Sequence, residues 1–407
     1  MNILILCSSY PRFPGDGTAP FVQSIALSLA KLGNQVDVVV PWDPLAQPMS
    51  RQRVEVHRFQ YIFPKSLHIM GHARSLKSDT DLNPLTYLLL PFFLFFGFIK
   101  TLHILRARKS EILNVHWVLP NGLIALFVSW VSGIPLVVTL HGSDIFVAQK
   151  NFLFGWIASL IFHRSKYVTA CSPELAEAAQ RLGASSTKVK LIAWGADPQI
   201  FKPEKRSNQY RSDLGFQADH ILVAALGRMV YKKGFNVLLD AWSIVVKAFP
   251  KAVLVMGGDG PLRDSLTEQA AQLGILAGIK FLKRINWDDV PAFLASMDIF
   301  ILPSIKDPKG NIDGLPTVLL EAMSSGLPVI ASEIAGVPLV INNYENGVLV
   351  PPGNPEILAN AIIDLIQNEQ LRVNLGTNAR HSITTQYNWD EVGKIFIQLY
   401  QQAIDAA

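Results

Sequence analysis

Short apolar runs alternate along the whole chain with longer segments of helical periodicity, and glycine, proline and asparagine separate them. The runs are rich in β-branched and aliphatic residues, which is typical of strands buried on both faces of a sheet. Helices between such strands produce right-handed parallel βαβ units. The pattern therefore predicts an α/β protein with strands at 2–7, 35–41, 112–117, 135–142, 167–172, 188–194, 221–227, 252–258, 279–284, 299–304 and 328–332.

The chain is long enough for two domains. Its 407 residues exceed the usual size of one hydrophobic core, and a polar, charged stretch at 200–220 separates two series of strands and helices. We interpret that stretch as the linker, which gives an N-terminal domain over 1–200 and a C-terminal domain over 201–387. A last helix-period segment at 391–404 follows Asn388 and Asp390, either of which is suited to cap it.

Two uncharged stretches lie in the first half of the chain. Residues 82–99 are interrupted by Pro84, Pro91 and Gly97, and residues 152–162 are bounded by basic residues. A membrane-spanning helix needs about 20 apolar residues, and neither stretch is a convincing one. Two interpretations stay open: helices of the core, or helices that lie in a membrane interface.

Charge is distributed unevenly between the two halves. Residues 1–200 hold 18 Lys and Arg against 11 Asp and Glu, whereas residues 201–407 hold 18 against 21. An anionic partner, such as a membrane surface or a phosphorylated acceptor, is therefore expected at the first half. We expect no nucleic acid partner, because the sequence has no basic run, zinc-finger spacing or aromatic RNP-like segment.

The cysteines and the first residues bear on location. Cys7 and Cys171 are too few for a disulfide framework, which fits a reducing compartment. The opening residues MNILILCSSY lack the basic leader and the apolar core of a signal peptide. We therefore expect a cytoplasmic protein, with peripheral contact at the inner face of the membrane as an option through the basic N-terminal domain.

The segment at 307–328 directly follows a predicted strand and has the most specific chemistry. Asp313 and Glu321 are eight residues apart, and the turn Gly314-Leu315-Pro316 lies between them. Pro316 suits the first turn of a helix, whose free N–H groups form an anion site. Glu321 would then lie just over one turn into the helix, able to accept hydrogen bonds from the hydroxyls of a ligand. A capped helix with an exposed glutamate is the alternative.

Two further segments begin at strand ends. Arg228 and Lys233 follow one strand, and such a pair of cations suits the negative charge that builds up on a diphosphate leaving group. The alternative is a solvated basic loop. The glycines of residues 257–260 follow the next strand and allow close approach of the backbone. Ligands of open α/β sheets bind outside the carboxyl ends of the strands, which is where all these segments begin.

The N-terminal half adds two more strand-end segments. Gly15, Asp16 and Gly17 lie in a loop before a long helix, and His141 follows another strand beside a glycine. His141 suits a position that faces a cleft, and a core histidine is the alternative. A dehydrogenase is not expected, because Pro20 stands where the dinucleotide fingerprint needs glycine or alanine. We expect no metal site, because no His or Cys cluster has the spacing of metal ligands.

Together these segments resemble those of a known family. In chain order they are WGADPQIFKP at 194–203, GRMVYKKG at 227–234, GGDGP at 257–261, the Asp-x7-Glu segment with EAM and GLPVI, and AGVPLVINNYENGVLVPPG at 335–353. On them the chain is similar to retaining glycosyltransferases of family 4, the glycogen-synthase-like or group 1 transferases, over essentially its whole length. The resemblance implies the GT-B fold: two Rossmann-like domains with doubly wound parallel sheets that face a central cleft.

The resemblance also implies roles for the domains and for single residues. The N-terminal domain, joined by a terminal helix at about 388–407, would bind the acceptor, and the C-terminal domain would bind the nucleotide sugar. Arg228 and Lys233 would hold the donor diphosphate, Glu321 the ribose hydroxyls, and Asp313 the sugar, which His141 would approach from the other domain. The further residues expected to bind the donor are Gly15, Asp16, Gly17, Gly227, Gly258, Gly260, Arg284, Gly314, Leu315, Pro316, Thr317 and Val318.

The function that the resemblance implies is the transfer of a hexose, with retention of configuration, from a nucleoside diphosphate sugar with UDP as the expected nucleotide. The acceptor would be a glycan or a lipid-linked glycan in cell-surface polysaccharide or glycolipid synthesis. No essential metal or other cofactor is expected. Asp313 replaces a glutamate that the family commonly has, which bears on the identity of the sugar. Two alternatives stay open: a small soluble sugar or sugar phosphate as acceptor, or a catalytically silent relative that serves a glycan-assembly complex.

Overall fold

The computed structural model describes residues 1–51, 53–72, 74, 83–217 and 219–406. The chain divides into two compact units. The first consists of Met1–Ile192 with the chain from Trp389 onward, and the second is Ala193–Asn388. Each unit is an α/β domain built on its own sheet.

The sheet of the first unit has eight strands: β1 (Asn2–Leu6), β2 (Gln35–Pro41), β3 (Ser50–Arg51), β4 (Val54–Phe59), β5 (Ile112–His116), β6 (Leu136–Thr139), β7 (Tyr167–Ala170) and β8 (Val189–Leu191). Their order is β3-β4-β2-β1-β5-β6-β7-β8, and all neighbours are parallel except the edge strand β3. The helices of this unit are α1 (Pro20–Lys31), α2 (Leu85–Arg108), α3 (Asn121–Ser132), α4 (Ser143–Lys150), α5 (Phe152–Arg164), α6 (Pro173–Arg181) and α14 (Trp389–Asp405).

The last helix of the chain belongs to the first unit because it has one apolar stripe. The buried residues of α14 recur at helical spacing: Val392, Phe396, Leu399, Tyr400 and Ala403. They join the core formed by α1 and one face of the sheet. The Tyr400 hydroxyl donates a hydrogen bond of 2.9 Å to Asn114 Oδ1 on β5, which satisfies both groups inside the core.

The uncharged stretch 82–99 forms most of helix α2, which continues through Pro91 to Arg108. Leu82 lies outside the described residues. The length and composition of α2 suffice to cross a membrane, but a third of its most apolar window is buried within the protein. Phe93 and Gly97 lie on the buried stripe of α2, where Gly97 approaches Ile124 of α3. The opposite stripe of α2 is exposed and apolar, so a core helix does not describe it, and the interpretation as a helix in a membrane interface stays a prediction.

The second unit has six strands: β9 (Ile221–Leu226), β10 (Ala252–Gly257), β11 (Ile279–Phe281), β12 (Ile299–Leu302), β13 (Val329–Ser332) and β14 (Val348–Val350). They are all parallel, in the order β11-β10-β9-β12-β13-β14. Its helices are α7 (Asn208–Asp213), α8 (Phe235–Ala248), α9 (Arg263–Gln272), α10 (Val290–Ala295), α11 (Thr317–Ser324), α12 (Pro355–Gln367) and α13 (Glu369–Thr385).

The structure places the domain boundary at Ile192, not at residue 200, and the described residues of the stretch 200–220 belong to the second unit. The Ala196 N–H donates to the Tyr387 carbonyl within the second unit. Arg211 on α7 is buried and pairs with Asp298 at 2.9 Å. The predicted linker is therefore wrong, because side chains that look solvated in the sequence make ion pairs and hydrogen bonds to this unit.

All eleven predicted strands are present, most of them shorter at one or both ends. Three strands were missed: β3, β4 and β14. The sequence of β4, VEVHRF, alternates apolar and polar residues over its first half, unlike the continuous apolar runs of the inner strands. β3 and β14 have only two and three residues, which is too short for a periodic signal.

Candidate active site

The loops after β9 and β10 are bonded to each other along their backbones. The Gly227 N–H donates to the Gly257 carbonyl at 3.1 Å, and the Met229 N–H donates to the Asp259 carbonyl at 2.9 Å. This pairing continues the register of the two strands beyond the sheet. The segment that contains Arg228 is therefore held in place at the carboxyl edge of the sheet.

Gly258 and Gly260 are needed for that pairing. Gly258 has φ +132°, and a Cβ there would lie 1.9 Å from the Gly227 carbonyl oxygen. Gly260 has φ +156°, and its Cβ would lie 2.6 Å from the Met229 carbonyl oxygen. The close backbone approach expected at these glycines is thus an approach to the neighbouring loop. A contact of either glycine with the donor stays a prediction.

Lys233 crosses over Gly227 and reaches the segment after β12. A Cβ on Gly227 would lie 3.3 Å from Lys233 Cε, so the glycine leaves room for the lysine side chain. Lys233 Nζ lies 2.6 Å from Asp313 Oδ2, and Lys232 Nζ lies 3.0 Å from Asp313 Oδ1. Burial by itself would raise the pKa of Asp313, but the two lysine charges lower it to about 2. Two cations and one anion leave this cluster with a net positive charge.

Glu321 lies on α11, within the influence of the same lysine. Its side chain is buried, and burial raises its pKa to about 7, against the opposing effects of a hydrogen bond with Thr317 and the charge of Lys233. Thr317 is the first residue of the helix and Pro316 is its N-cap. The proline therefore lies just before the first turn, whereas the sequence predicts it within that turn. The predicted alternative of an exposed glutamate is wrong, because Glu321 is only 6% exposed.

The turn before α11 is buried and tied to the next segment of the family pattern. Gly314, Leu315 and Pro316 are buried, and the Gly314 carbonyl accepts a hydrogen bond of 2.7 Å from the Gly336 N–H. Thr317 and Val318 are partly buried at the start of the helix, where the first N–H groups of α11 lie. The structure therefore brings Asp313, Glu321 and Lys233 together with this turn.

Two of the predicted donor residues lie at the edges of this group. Arg228 is exposed, one residue beyond Gly227. Arg284 is exposed in the segment after β11, next to Lys283, whose carbonyl accepts a hydrogen bond from the Gly258 N–H. Both arginines therefore lie at the same carboxyl edge of the sheet as the lysines.

His141 belongs to the first unit, at the carboxyl end of β6, and is enclosed by rings. Its ring centroid lies 4.3 Å from that of Trp117 and 4.9 Å from that of Phe21. His116 Nδ1 lies 3.0 Å from His141 Nε2. Burial lowers the pKa of His141 well below its usual range, and electrostatic repulsion from His116 contributes in the same direction. Burial also lowers the pKa of His116, to about 3. Both imidazoles are therefore neutral at physiological pH.

The loop with Gly15, Asp16 and Gly17 lies at the carboxyl end of β1 and is held from within. The Asp16 carboxylate accepts hydrogen bonds from Arg12 Nε at 2.7 Å and from Thr18 Oγ1 at 2.8 Å. Burial would raise the pKa of Asp16, but these hydrogen bonds and the Arg12 charge lower it to about 2. Gly15 and Gly17 are exposed, so the backbone of the loop is accessible to a ligand. The Asp16 side chain is buried, and it makes hydrogen bonds within the loop.

The sequence-based predictions do not name three residues that the structure places in these groups: Lys232, His116 and Trp117. Lys232 is adjacent to Lys233, and spacing alone does not show which of two neighbouring lysines reaches an aspartate 80 residues away. His116 and Trp117 end the strand β5, so the rule that ligands bind at carboxyl ends of strands would have found them.

Two family models match consecutive parts of the chain. The model described as "Glycosyl transferase 4-like domain" matches residues 16–195, and "Glycosyl transferases group 1" matches residues 206–382. The second match contains the lysines, Asp313 and Glu321. The chain is a group 1 glycosyltransferase. The predicted family is thereby confirmed in its broad definition.

Similarity to known proteins extends over the whole of this glycosyltransferase. The glycosyltransferase MJ1607 of Methanocaldococcus jannaschii is 25% identical over 416 residues, which covers 100% of this chain and 99% of the relative. A GDP-mannose-dependent α-(1-6)-phosphatidylinositol monomannoside mannosyltransferase of Mycobacterium tuberculosis is 26% identical over 56% of this chain and 57% of its own length.

Solved structures show the same fold. Sucrose-phosphate synthase of Thermosynechococcus elongatus superposes with a TM-score of 0.75 at 19% identity, covering 100% of both chains. Alr3699/HepE of Anabaena, solved with UDP and glucose, superposes with a TM-score of 0.74 at 21% identity, covering 99% of this chain and 100% of that one. The group 1 glycosyltransferase therefore has the GT-B fold with two Rossmann-like domains, as predicted.

One further group of charged residues lies away from these strand ends. Asp37, Glu55 and His57 have ligand atoms within 4.8 Å of one another, a geometry that can hold a metal ion. However, Arg108 Nε lies 3.4 Å from Asp37 Oδ1, and Arg108 also pairs with Glu55. The guanidinium thus already occupies the position of a cation, and the group joins the end of α2 to the sheet.

Proposed function

We propose that the chain is a retaining hexosyltransferase of family 4 that uses a UDP-linked sugar and transfers the hexose to a glycan or lipid-linked acceptor in cell-surface polysaccharide or glycolipid synthesis. It acts in the cytoplasm, with peripheral contact at the inner face of the membrane. The N-terminal domain binds the acceptor and the C-terminal domain binds the donor. The observation that supports the proposal most is the cluster of Lys233, Lys232, Asp313 and Glu321 at the carboxyl edge of the second sheet.

The lysine cluster supports binding of a diphosphate. Without a ligand, Asp313 neutralises one of the two lysines, so Lys232, Lys233 and Asp313 together carry one net positive charge. Ionised Glu321 offsets that charge. An incoming diphosphate competes with Asp313 for Lys233, and exposed Arg228 adds a second cation that can bind phosphate oxygens in a fork. The turn Gly314 to Val318 offers the N–H groups at the start of α11 to the sugar and phosphate.

These groups suit the leaving group of the transfer. The bond between the anomeric carbon and the diphosphate oxygen breaks while the acceptor oxygen forms its bond on the same face of the sugar. The acceptor proton passes to the departing phosphate oxygen, and Lys233 and Arg228 stabilise the negative charge that accumulates there. We propose that no essential metal or other cofactor is needed, because these cations supply the charge that a divalent ion would otherwise contribute.

Neutral His141 in the first unit and buried Glu321 in the second each have a proposed role within their own domain. His141 is a neutral imidazole that Trp117 and His116 hold in place. It can donate a hydrogen bond to a sugar hydroxyl or accept one from it without adding charge. Ionised Glu321 accepts hydrogen bonds from the two ribose hydroxyls of the nucleotide. The donor supplies these two hydroxyls whatever its base, so Glu321 does not select between nucleotides.

The nucleotide and the acceptor are proposed from relatives. One structural neighbour, Alr3699/HepE, was solved with UDP and glucose, and one sequence relative is GDP-mannose-dependent. The relative from Mycobacterium tuberculosis acts on a phosphatidylinositol monomannoside, which supports the lipid-linked form of the acceptor. These two nucleotides are therefore the ones to compare directly.

The proposal is tested by thermal unfolding of the purified protein with UDP, GDP and ADP in separate samples. A ligand at 100 times its dissociation constant adds about 2.7 kcal/mol, which raises the unfolding midpoint by several degrees. We expect UDP alone to raise it. A shift with GDP alone would contradict the proposed base, and no shift with any nucleotide would contradict the donor site and favour a catalytically silent relative.

A matched pair of variants tests whether UDP stabilises the protein by binding at the lysine cluster. Lys233→Ala removes the cation that lies 2.6 Å from Asp313 Oδ2, and the shift with UDP is expected to disappear. Lys251→Ala removes an exposed lysine of the same unit that pairs with Asp219 at the surface, and the shift is expected to remain. Retention is tested by NMR of the product, since an α-linked UDP-sugar must give an α-linked product.

A further inference from the structure

The exposed side of the first unit carries an apolar surface on three helices. We call it the aromatic face, and it consists of Tyr87, Leu88, Phe92, Phe95, Phe96 and Ile99 on α2, Phe127, Trp130 and Val131 on α3, and Phe152, Leu153 and Trp156 on α5. Each of these side chains is at least 42% exposed, and Phe152 is 92% exposed. Exposed apolar groups of this number on neighbouring helices mark an interaction surface.

The three helices are packed side by side, with α3 in the middle. A Cβ on Gly97 of α2 would lie 2.6 Å from Ile124 of α3, and a Cβ on Gly122 of α3 would lie 2.9 Å from Ile161 of α5. The exposed residues of α3, Phe127 and Trp130, touch each other edge to face. The aromatic face is therefore one surface formed by adjacent helices.

The packing of α2 excludes a membrane-spanning role for this helix. Its buried stripe runs along the whole helix from Thr86 to Leu105. At the far end Arg108 pairs with Asp37 of β2 and Glu55 of β4. A helix that is fastened along its length to a sheet cannot leave it to cross a bilayer, whereas its opposite face can lie in the headgroup region.

Basic residues outnumber acidic residues along the helices of the aromatic face. Between Asn83 and Pro173 the chain has seven Lys or Arg and two acidic residues. Asp144 is buried and accepts a hydrogen bond from the Val118 N–H, whereas Glu111 is exposed and accepts one from the Asn2 N–H. The charge that this surface presents to a partner is therefore positive.

The cations cluster where the helices end. Arg106 and Lys109 lie at the end of α2, and Lys100 lies two turns before it. At the end of α5, Arg164 donates to the Ser129 carbonyl of α3, and Lys188 donates to the His163 carbonyl. Partial burial and the charges of Lys166 and Arg164 lower the pKa of Lys188, which shows how closely these cations are placed.

We propose that the aromatic face binds the surface of an anionic lipid bilayer, with the aromatic side chains inserted among the headgroups and acyl ends and the flanking lysines and arginines on the lipid phosphates. The apolar centre supplies the insertion and the basic margin supplies the preference for anionic lipid. This inference rests on the membrane contact of the proposed function, which it assigns to one surface of the first unit, and it is independent of the proposed donor site.

The test is partition of the full-length protein onto vesicles of phosphatidylcholine with phosphatidylglycerol, measured by co-sedimentation. We expect binding at low salt, weaker binding at high salt, and much weaker binding to vesicles of phosphatidylcholine alone. Among the eight tryptophans, Trp130 and Trp156 are the two exposed ones. Their fluorescence is expected to shift to shorter wavelength on anionic vesicles.

Three variants separate insertion from a general effect. The triple variant Phe95→Ser, Trp130→Ser, Trp156→Ser changes one exposed residue on each helix and is expected to bind vesicles at least about tenfold more weakly. Ile395→Ser is the control, because Ile395 is similarly exposed on α14, which packs on the opposite face of the sheet. Replacing the two tryptophans by phenylalanine keeps the face apolar, so binding remains while the fluorescence shift is lost.

The contribution of the cations at the edge of the aromatic face is tested by a separate double variant. Arg106→Ala with Lys150→Ala removes two exposed cations and leaves the aromatic face intact. Each cation near an anionic surface is worth roughly fivefold in partition, so we expect a loss of binding that disappears at high salt.

Three results would overturn the proposal. The first is no partition onto anionic vesicles at low salt. The second is equal partition of the triple serine variant and the wild type. The third is a stable dimer in sedimentation velocity that the triple variant dissociates, because a second copy would then cover the face. None of these measurements contains a nucleotide, so their failure is distinct from failure of the donor site.

Discussion

The buried carboxyl group of Glu321 makes stability and function depend on pH in opposite ways. Burial raises its pKa to about 7, whereas an unfolded glutamate titrates near 4.5. The folded protein therefore disfavours the ionised form relative to the unfolded chain. Glu321→Gln keeps the shape and the hydrogen-bonding capacity of the side chain and removes the ionisation, so the variant reports this cost directly.

The size of the effect follows from the two pKa values. A raised pKa means that the wild type loses stability relative to the variant as the pH rises from 4.5 through 7, and that the difference is constant above that range. Between pH 5.5 and pH 8 the linkage relation gives about 2 kcal/mol. In a unit of about 200 residues this corresponds to a change of about 4 to 8 °C in the unfolding midpoint.

The assay compares the unfolding midpoints of wild type and Glu321→Gln from pH 5 to pH 8.5 without nucleotide. We expect the unfolding midpoint of the variant to rise relative to that of the wild type as the pH rises. Glu268→Gln is the matched control, since Glu268 is exposed on α9 of the same unit, and its midpoint should follow the wild type throughout. In the proposed site the glutamine is also expected to weaken nucleotide binding, which is the usual exchange of stability against function.

Parallel midpoint curves for wild type and Glu321→Gln would refute this reasoning. They would mean that the carboxyl group titrates in the folded protein as it does in the unfolded chain. The hydrogen bond with Thr317 and the charge of Lys233 would then compensate burial fully. A gap that widens in favour of the wild type as the pH rises would refute it equally, because it would show that the ionised carboxylate contributes favourably.

Two further predictions concern the fold and are measured by urea unfolding. Gly258→Ala places a Cβ against the Gly227 carbonyl and is expected to lower the free energy of unfolding by more than about 3 kcal/mol, whereas Gly274→Ala, at φ +68° in open space, costs about 1 kcal/mol. Equal losses would contradict the backbone packing of the two loops. Tyr400→Phe leaves Asn114 Oδ1 without its buried donor and is expected to cost about 1 to 2 kcal/mol, and an unchanged value would show that the terminal helix is held by apolar contacts alone.

The residues of the candidate site could be predicted from the sequence where they directly follow a predicted strand. Asp313, Glu321, Lys233 and His141 all follow apolar strands, and parallel strands carry their carboxyl ends at one edge. The sequence therefore predicted which side chains assemble on each sheet. It did not predict that Lys232 also binds Asp313, because the reach of a flexible side chain depends on the path of the loop.

The glycines show a second limit of sequence reasoning. The sequence marks Gly258 and Gly260 as positions that allow close approach of the backbone at a strand end. The partner in that approach is the loop at Gly227 to Met229, about 30 residues earlier. A glycine shows that space is restricted, but only the packed structure shows what fills the space.

The sequence by itself determined the alternation of buried strands and helices, the two α/β domains and the strand ends that carry the polar chemistry. These follow from local hydrophobic pattern, since a buried strand needs a continuous apolar run. Tertiary structure alone decided the boundary at Ile192, the raised pKa of Glu321 and the division of α2 into a buried and an exposed apolar stripe. Burial and charge at a residue are set by neighbours that are distant in the chain, and α2 has the same apolar residues on both faces.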